Sequence, residues 1–91
     1  MIKQYINNKT TYEIHKDSNS SSTWCKLYIN NIFSKNLINE DEARRIIWKE
    51  ITEKAKENFI KNKPNFNMKN FNIQQLNIPF LTNDMLKIIE P

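Results

Sequence analysis

None of the ninety-one residues is glycine. Backbone that must take a positive φ, or let a ligand approach closely, therefore has no residue without a Cβ to draw on. Walker-type and dinucleotide-binding phosphate loops are excluded on this ground, because each needs such backbone at fixed spacing. Tight hairpin turns must rely on asparagine, which tolerates left-handed geometry better than other residues that carry a side chain. Asn7-Asn8 and Asn30-Asn31 stand where turns of that kind fall.

The chain is long enough for one domain and too short for two, so a single α+β domain over residues 1–91 is expected. Hydrophobic residues at 38% and charged residues at 26% are polar for a globular domain, yet well short of a disordered composition. Fifteen Asn, 14 Ile and 12 Lys stand against two Arg, a bias typical of AT-rich coding sequence. The net charge of +4 fits an acidic protein or nucleic acid as partner, although two arginines are few for phosphate recognition. Cys25 is the one cysteine, so no intramolecular disulfide forms, and a reducing, cytoplasmic setting is expected. The first residues lack the apolar run of a secretory signal, and no stretch of eighteen apolar residues occurs, so no membrane association is expected.

Alternation of apolar and polar side chains over 2–6 and 11–16, with Asn7, Asn8 and Lys9 between them, predicts a β-hairpin. Asp17 to Ser22 reads as a connector, and a third strand runs from Thr23 to about Asn30. Alternation places Ile2, Ile6, Tyr12, Ile14, Cys25, Leu27 and Ile29 on one face. Lys3, Tyr5, Glu13, His15, Trp24, Lys26 and Tyr28 fall on the other.

A helix from about Glu40 to Asn62 is expected to cover the apolar face. Asn39 is its N-cap, Glu42 completes a capping box, and Glu40, Asp41 and Glu42 complement the dipole, with Pro64 as the stop. Acid-to-base pairs four apart are expected at Glu40 and Arg44, Asp41 and Arg45, Glu50 and Lys54, and Glu57 and Lys61. The apolar stripe runs Ala43, Ile47, Ile51, Ala55, Phe59, with Trp48 beside it and Ile46 and Ile60 off it. Beyond Pro64 the spacing predicts one strand or extended segment at about 71–78. A short final helix capped by Thr82 follows, with Leu81 stapled to Leu86. The expected architecture is thus α+β, a three-stranded antiparallel sheet packed by one long helix, with a C-terminal strand or extended segment and a short last helix.

Chemistry is sparse. His15 with Glu13 makes an acid–base pair, but catalysis also needs a nucleophile and an oxyanion stabiliser, and none is legible. Cys25 faces the predicted core, where a thiol packs rather than reacts. One His and one Cys cannot supply a structural zinc site, and the acids at 40–42 diverge around the helix, so neither a metal nor a cofactor is expected. The suggestive feature is the second sheet face, where Tyr5, Trp24 and Tyr28 are interleaved with Lys3, His15 and Lys26. Such a surface suits a protein hot spot or base stacking, unless the C-terminal segment folds over it.

The stretch Leu27-Tyr28-Ile29-Asn30-Asn31-Ile32 resembles the first-strand motif of RNA-recognition motif domains, which implies an exposed Tyr28. No Lys/Arg-Gly-Phe segment follows it. Three strands followed by a helix is also similar to the small DNA-binding arm of tyrosine integrases, with Asn39 to Ala43 matching the capped helix start, but without the dense arginine of those arms. The expected function is non-enzymatic binding of another protein through Tyr5, His15, Trp24, Lys26 and Tyr28, as an inhibitor, adaptor or assembly subunit. Size and coding bias suit a phage or mobile-element inhibitor of host defence. The alternative is a nucleic-acid binder using the same face, and a homodimer is a further option through an unpaired sheet edge.

Overall fold

A computed structural model describes residues 1–16, 23–62 and 72–90, leaving aside the side chain of Ile73. The sheet has five strands, not the expected three: β1 (Ile2–Asn7), β2 (Thr10–His15), β3 (Cys25–Ile29), β4 (Ile32–Leu37) and β5 (Lys87–Glu90). They lie in the order β4-β3-β2-β1-β5, each antiparallel to its neighbour.

Asparagine does the work glycine would otherwise do. Asn8 opens the β1–β2 turn at φ 56°, and Asn30 and Asn31 form the β3–β4 turn at φ 52° and 67°. Two consecutive left-handed residues make the hairpin turn whose twist matches that of its strands. Asn30 also ties its turn to the neighbouring strand, because its Oδ1 accepts from the Thr11 amide at 2.9 Å and its own amide donates to the Thr11 carbonyl. This turn is followed by β4, the strand the sequence reading omitted.

Turn length decides which side of β1 is buried. Asn7 pairs with Thr10, so only Asn8 and Lys9 form the loop, and Tyr5 lies opposite Tyr12 and Lys3 opposite Ile14. Opposed residues share a face. Lys3 and Tyr5 therefore lie on the helix side, and Ile2 and Ile6 lie on the other, the reverse of the expected assignment for this strand. Allowing three loop residues instead of two slips the register by one and turns every side chain over. The assignments in β2 and β3 hold, and Tyr12, Ile14, Cys25 and Leu27 are each at most 3% exposed.

The helix α1 (Glu40–Lys61) lies over that face. Asn39 caps it, its Oδ1 accepting from the Glu42 amide at 2.8 Å. Glu42 reaches back one residue further than a capping box requires, to the Ile38 amide. Ala43, Ile47, Ile51 and Thr52 are buried, Trp48 and Ile46 pack against the core, and Ala55 and Phe59 are half-buried. Of the expected pairs, Glu50 and Lys54 meet at 3.3 Å. Arg44 turns to Asp41, and Glu40 bonds Lys3 of β1 at 2.7 Å, stapling the helix start to the sheet. Pro64 lies outside the described residues.

The C-terminal stretch differs most from expectation. In place of a strand at 71–78 there is a 3₁₀ turn at Ile73–Leu76, followed by extended chain along the helix; residue 71 lies outside the described residues. There Trp48 Nε1 donates to the Ile78 carbonyl at 3.4 Å, and its ring meets Phe80 at 5.6 Å between centroids. In place of a short last helix, a three-residue 3₁₀ turn at Asn83–Met85 leads into β5. Leu81 and Leu86 are both buried, so the pair reaches the core, but it seals the base of a strand instead of stapling a helix.

Both edge strands are irregular. The register shifts in β3–β4, where Leu27 meets Lys35 and Tyr28 meets Phe33, and again in β1–β5, where Ile2 meets Glu90 and Lys3 meets Ile88. Bulges at edges work against flat edge-to-edge pairing with another sheet.

Candidate functional site: the open face of the sheet

One side of the sheet carries α1 and the other carries no described element. Register places Ile2, Gln4 and Ile6 of β1, Glu13 and His15 of β2, Lys26 and Tyr28 of β3, and Phe33 of β4 on this open side. None of them is buried. Ile6 is 57% exposed and Phe33 48%.

A line of contacts crosses the strands. Gln4 Nε2 donates to Glu13 Oε2 at 3.3 Å, and Glu13 Oε1 lies 3.0 Å from His15 Nε2. A carboxylate only accepts, so Nε2 carries the proton in this pair. The His15 ring lies 4.1 Å from that of Tyr28, and Tyr28 meets Phe33 edge-on at 5.7 Å. Each side chain holds the next in place, so the aromatic surface is ordered without a partner.

At the end of this line His15, Lys16, Trp24, Lys26, Tyr28 and Asn36 border a cleft of ≈ 380 Å³, with Met1 and Ile2 on its rim. Trp24 stands just before β3 and is 59% exposed. Cys25 also borders the cleft, but its thiol donates to the Asn39 carbonyl at the helix start. Burial pushes the thiol above its ordinary value, the Glu40 and Glu42 carboxylates add to this, and Lys16 opposes. A neutral, packed thiol is a poor nucleophile.

Four of the five residues singled out in the sequence, His15, Trp24, Lys26 and Tyr28, are thus brought together. Tyr5 is not: it faces α1 and packs against the core. Phe33, Asn36 and Ile2 belong to the surface without having been named for it. The first two become legible once β4 is recognised, and Ile2 once the loop is counted as two residues.

Wider clefts run along the helix, one of ≈ 570 Å³ beside Ile38, Arg45 and Lys49 and one of ≈ 630 Å³ beside Trp48, Gln74 and Pro79. Among the described residues neither pairs an aromatic wall with cations. Among the described residues no three His, Cys, Asp or Glu side chains are grouped to hold a metal, and no helix is long and apolar enough to cross a membrane. Comparison with known protein families, with characterised proteins and with solved structures finds no match to this chain.

Proposed function

We propose that this chain is a non-enzymatic binding protein that docks another protein on the open face of its sheet, as an inhibitor, adaptor or assembly subunit. The observation that carries this reading is the ordered row His15, Tyr28 and Phe33, with Trp24 at its end, on a face that no described element covers. Contiguous apolar surface of this kind is uncommon on a monomer without a partner, and rigid aromatics rimmed by polar groups are what binding hot spots are made of. The described C-terminal segment packs on Trp48 of the helix instead of crossing this face. Two features weigh against nucleic acid. Both arginines, Arg44 and Arg45, lie on α1, and the open face sets the carboxylates of Glu13 and, opposite Ile2, Glu90 among its lysines, Lys26 and, opposite Gln4, Lys87. A cytoplasmic setting suits a chain with one cysteine. A phage or mobile-element inhibitor of host defence is the form of this reading that size and coding bias favour.

The test is co-purification from cells that make the chain, with a Trp24→Ala, Tyr28→Ala double variant alongside and sizing chromatography of both to detect a homodimer. The double variant is expected to fold and to lose its partner. A variant that keeps every partner overturns the choice of face. Binding of short oligonucleotides that weakens steeply as salt rises replaces this reading with the nucleic-acid one.

A further inference from the structure

The cleft at the end of the open face is one-sided in charge. Lys16 and Lys26 border it, Lys16 from the edge it shares with a helix-side cleft, and among the described residues no aspartate or glutamate does. Among the described residues neither lysine makes an ion pair, whereas Lys3, Arg44 and Lys54 are each matched to a carboxylate. Glu13, on the same face, is held by Gln4 and His15 and does not border the cleft. Beside the two lysines, Trp24, Tyr28 and Asn36 also border it. At ≈ 380 Å³ the cleft lies near the lower end of the roughly 300–1,000 Å³ that ligand sites span, room for one or two side chains.

We infer that this cleft receives an acidic segment of the partner protein, a carboxylate lying against Lys16 and Lys26 and an adjoining apolar side chain lying between Trp24 and Tyr28. The inference rests on the reading of the open face as a protein-docking surface. Opposite charge at the end of an aromatic patch steers encounter and fixes orientation, while the apolar contact supplies most of the hold. A nucleic-acid strand needs cations repeated along its track. Here two lysines meet at the cleft, and the rest of the face offers one more, Lys87 opposite Gln4, interspersed with the carboxylates of Glu13 and Glu90. A single carboxylate with an apolar neighbour needs only the two lysines at the cleft.

The experiment is a titration of the isotope-labelled full chain with three probes, followed by amide and indole chemical shifts. The probes are the blocked peptide Glu-Asp-Leu-Phe-Asp-Glu, its amide counterpart Gln-Asn-Leu-Phe-Asn-Gln, and a short oligothymidylate. The acidic peptide is expected to move the signals of Lys26, Tyr28 and the Trp24 indole, and to bind about fivefold tighter than its amide counterpart. Lys26→Glu, with an unchanged circular dichroism spectrum, is expected to reverse that order, while Lys49→Glu on the helix leaves it unchanged. Equal affinity for the two peptides, with shifts still centred on Trp24 and Tyr28, overturns the acidic assignment and leaves the protein-docking reading standing. No shift at the cleft from either peptide also overturns the inference, and a response to oligothymidylate alone overturns both.

Discussion

The two faces of the sheet are built from the same strands and have opposite characters. On the helix side Tyr12, Ile14, Cys25, Leu27 and Leu37 are at most 3% exposed. On the open side no residue is buried, and Phe33 and Ile6 are about half exposed. Aromatic content does not separate them, since Tyr5 and Tyr12 lie on one side and Tyr28 and Phe33 on the other. What separates them is α1, which seals its side with Ala43, Ile47 and Ile51. Stability therefore resides on one face, and the other is free to be shaped for contact.

The largest expected effect tests that division directly. Ile47→Ala empties a site that is 0% exposed, which costs about 2–5 kcal/mol, whereas Phe33→Thr on the open face should shift stability by no more than about 0.5 kcal/mol. Urea unfolding of the two variants measures the contrast, and equal losses would break it. A smaller effect is expected at the helix start, where Asn39→Ala removes the cap on the Glu42 amide and costs about 1 kcal/mol. That loss should appear in thermal unfolding without altering binding at the open face.

The smallest effect is one of pH. Burial raises the Cys25 thiol above its ordinary 9.0, and burial likewise raises the Tyr12 phenol above 10.0, with Glu50 adding to the rise and Lys54 opposing it. Just above those values the folded chain still holds protons that the unfolded chain has released. The contribution is therefore complete below pH 9.0 and declines as pH climbs. Unfolding midpoints at about pH 8 and about pH 10 are expected to fall more in the native chain than in Cys25→Ala, and a parallel fall would remove the thiol from the account.

Much of this contrast was legible in the residues. The helix, its Asn39 cap and its buried stripe follow from periodicity and capping, which are local. The faces of β2 and β3 follow from alternation. The face of β1 did not, because it turns on whether Asn7 belongs to the strand or the loop, a choice the hairpin makes through Asn8. Strand β4 lacks clean alternation, since Ser34 falls where the register shifts. In β5, Lys-Ile-Ile-Glu follows a Thr82 cap signal and reads locally as helix. Only pairing with β1, a partner at the far end of the chain, makes it a strand. The candidate site inherited these errors: Tyr5 was placed outside, and Phe33, Asn36 and Ile2 went unseen.

The pairing of β5 with β1 also orders events during synthesis. Both hairpins are complete in the nascent polypeptide well before Lys87–Glu90 leaves the ribosome, yet the outer flank of β1 stays bare until those residues arrive. Lys3 and Asn83, 80 residues apart, are joined by a hydrogen bond only once that stretch has emerged. Leu81 and Leu86 come with the same stretch, so it brings part of the core together with strand β5. Translation that stalls before it would release a half-sealed intermediate with a sticky seam, the form most exposed to chaperone capture and degradation.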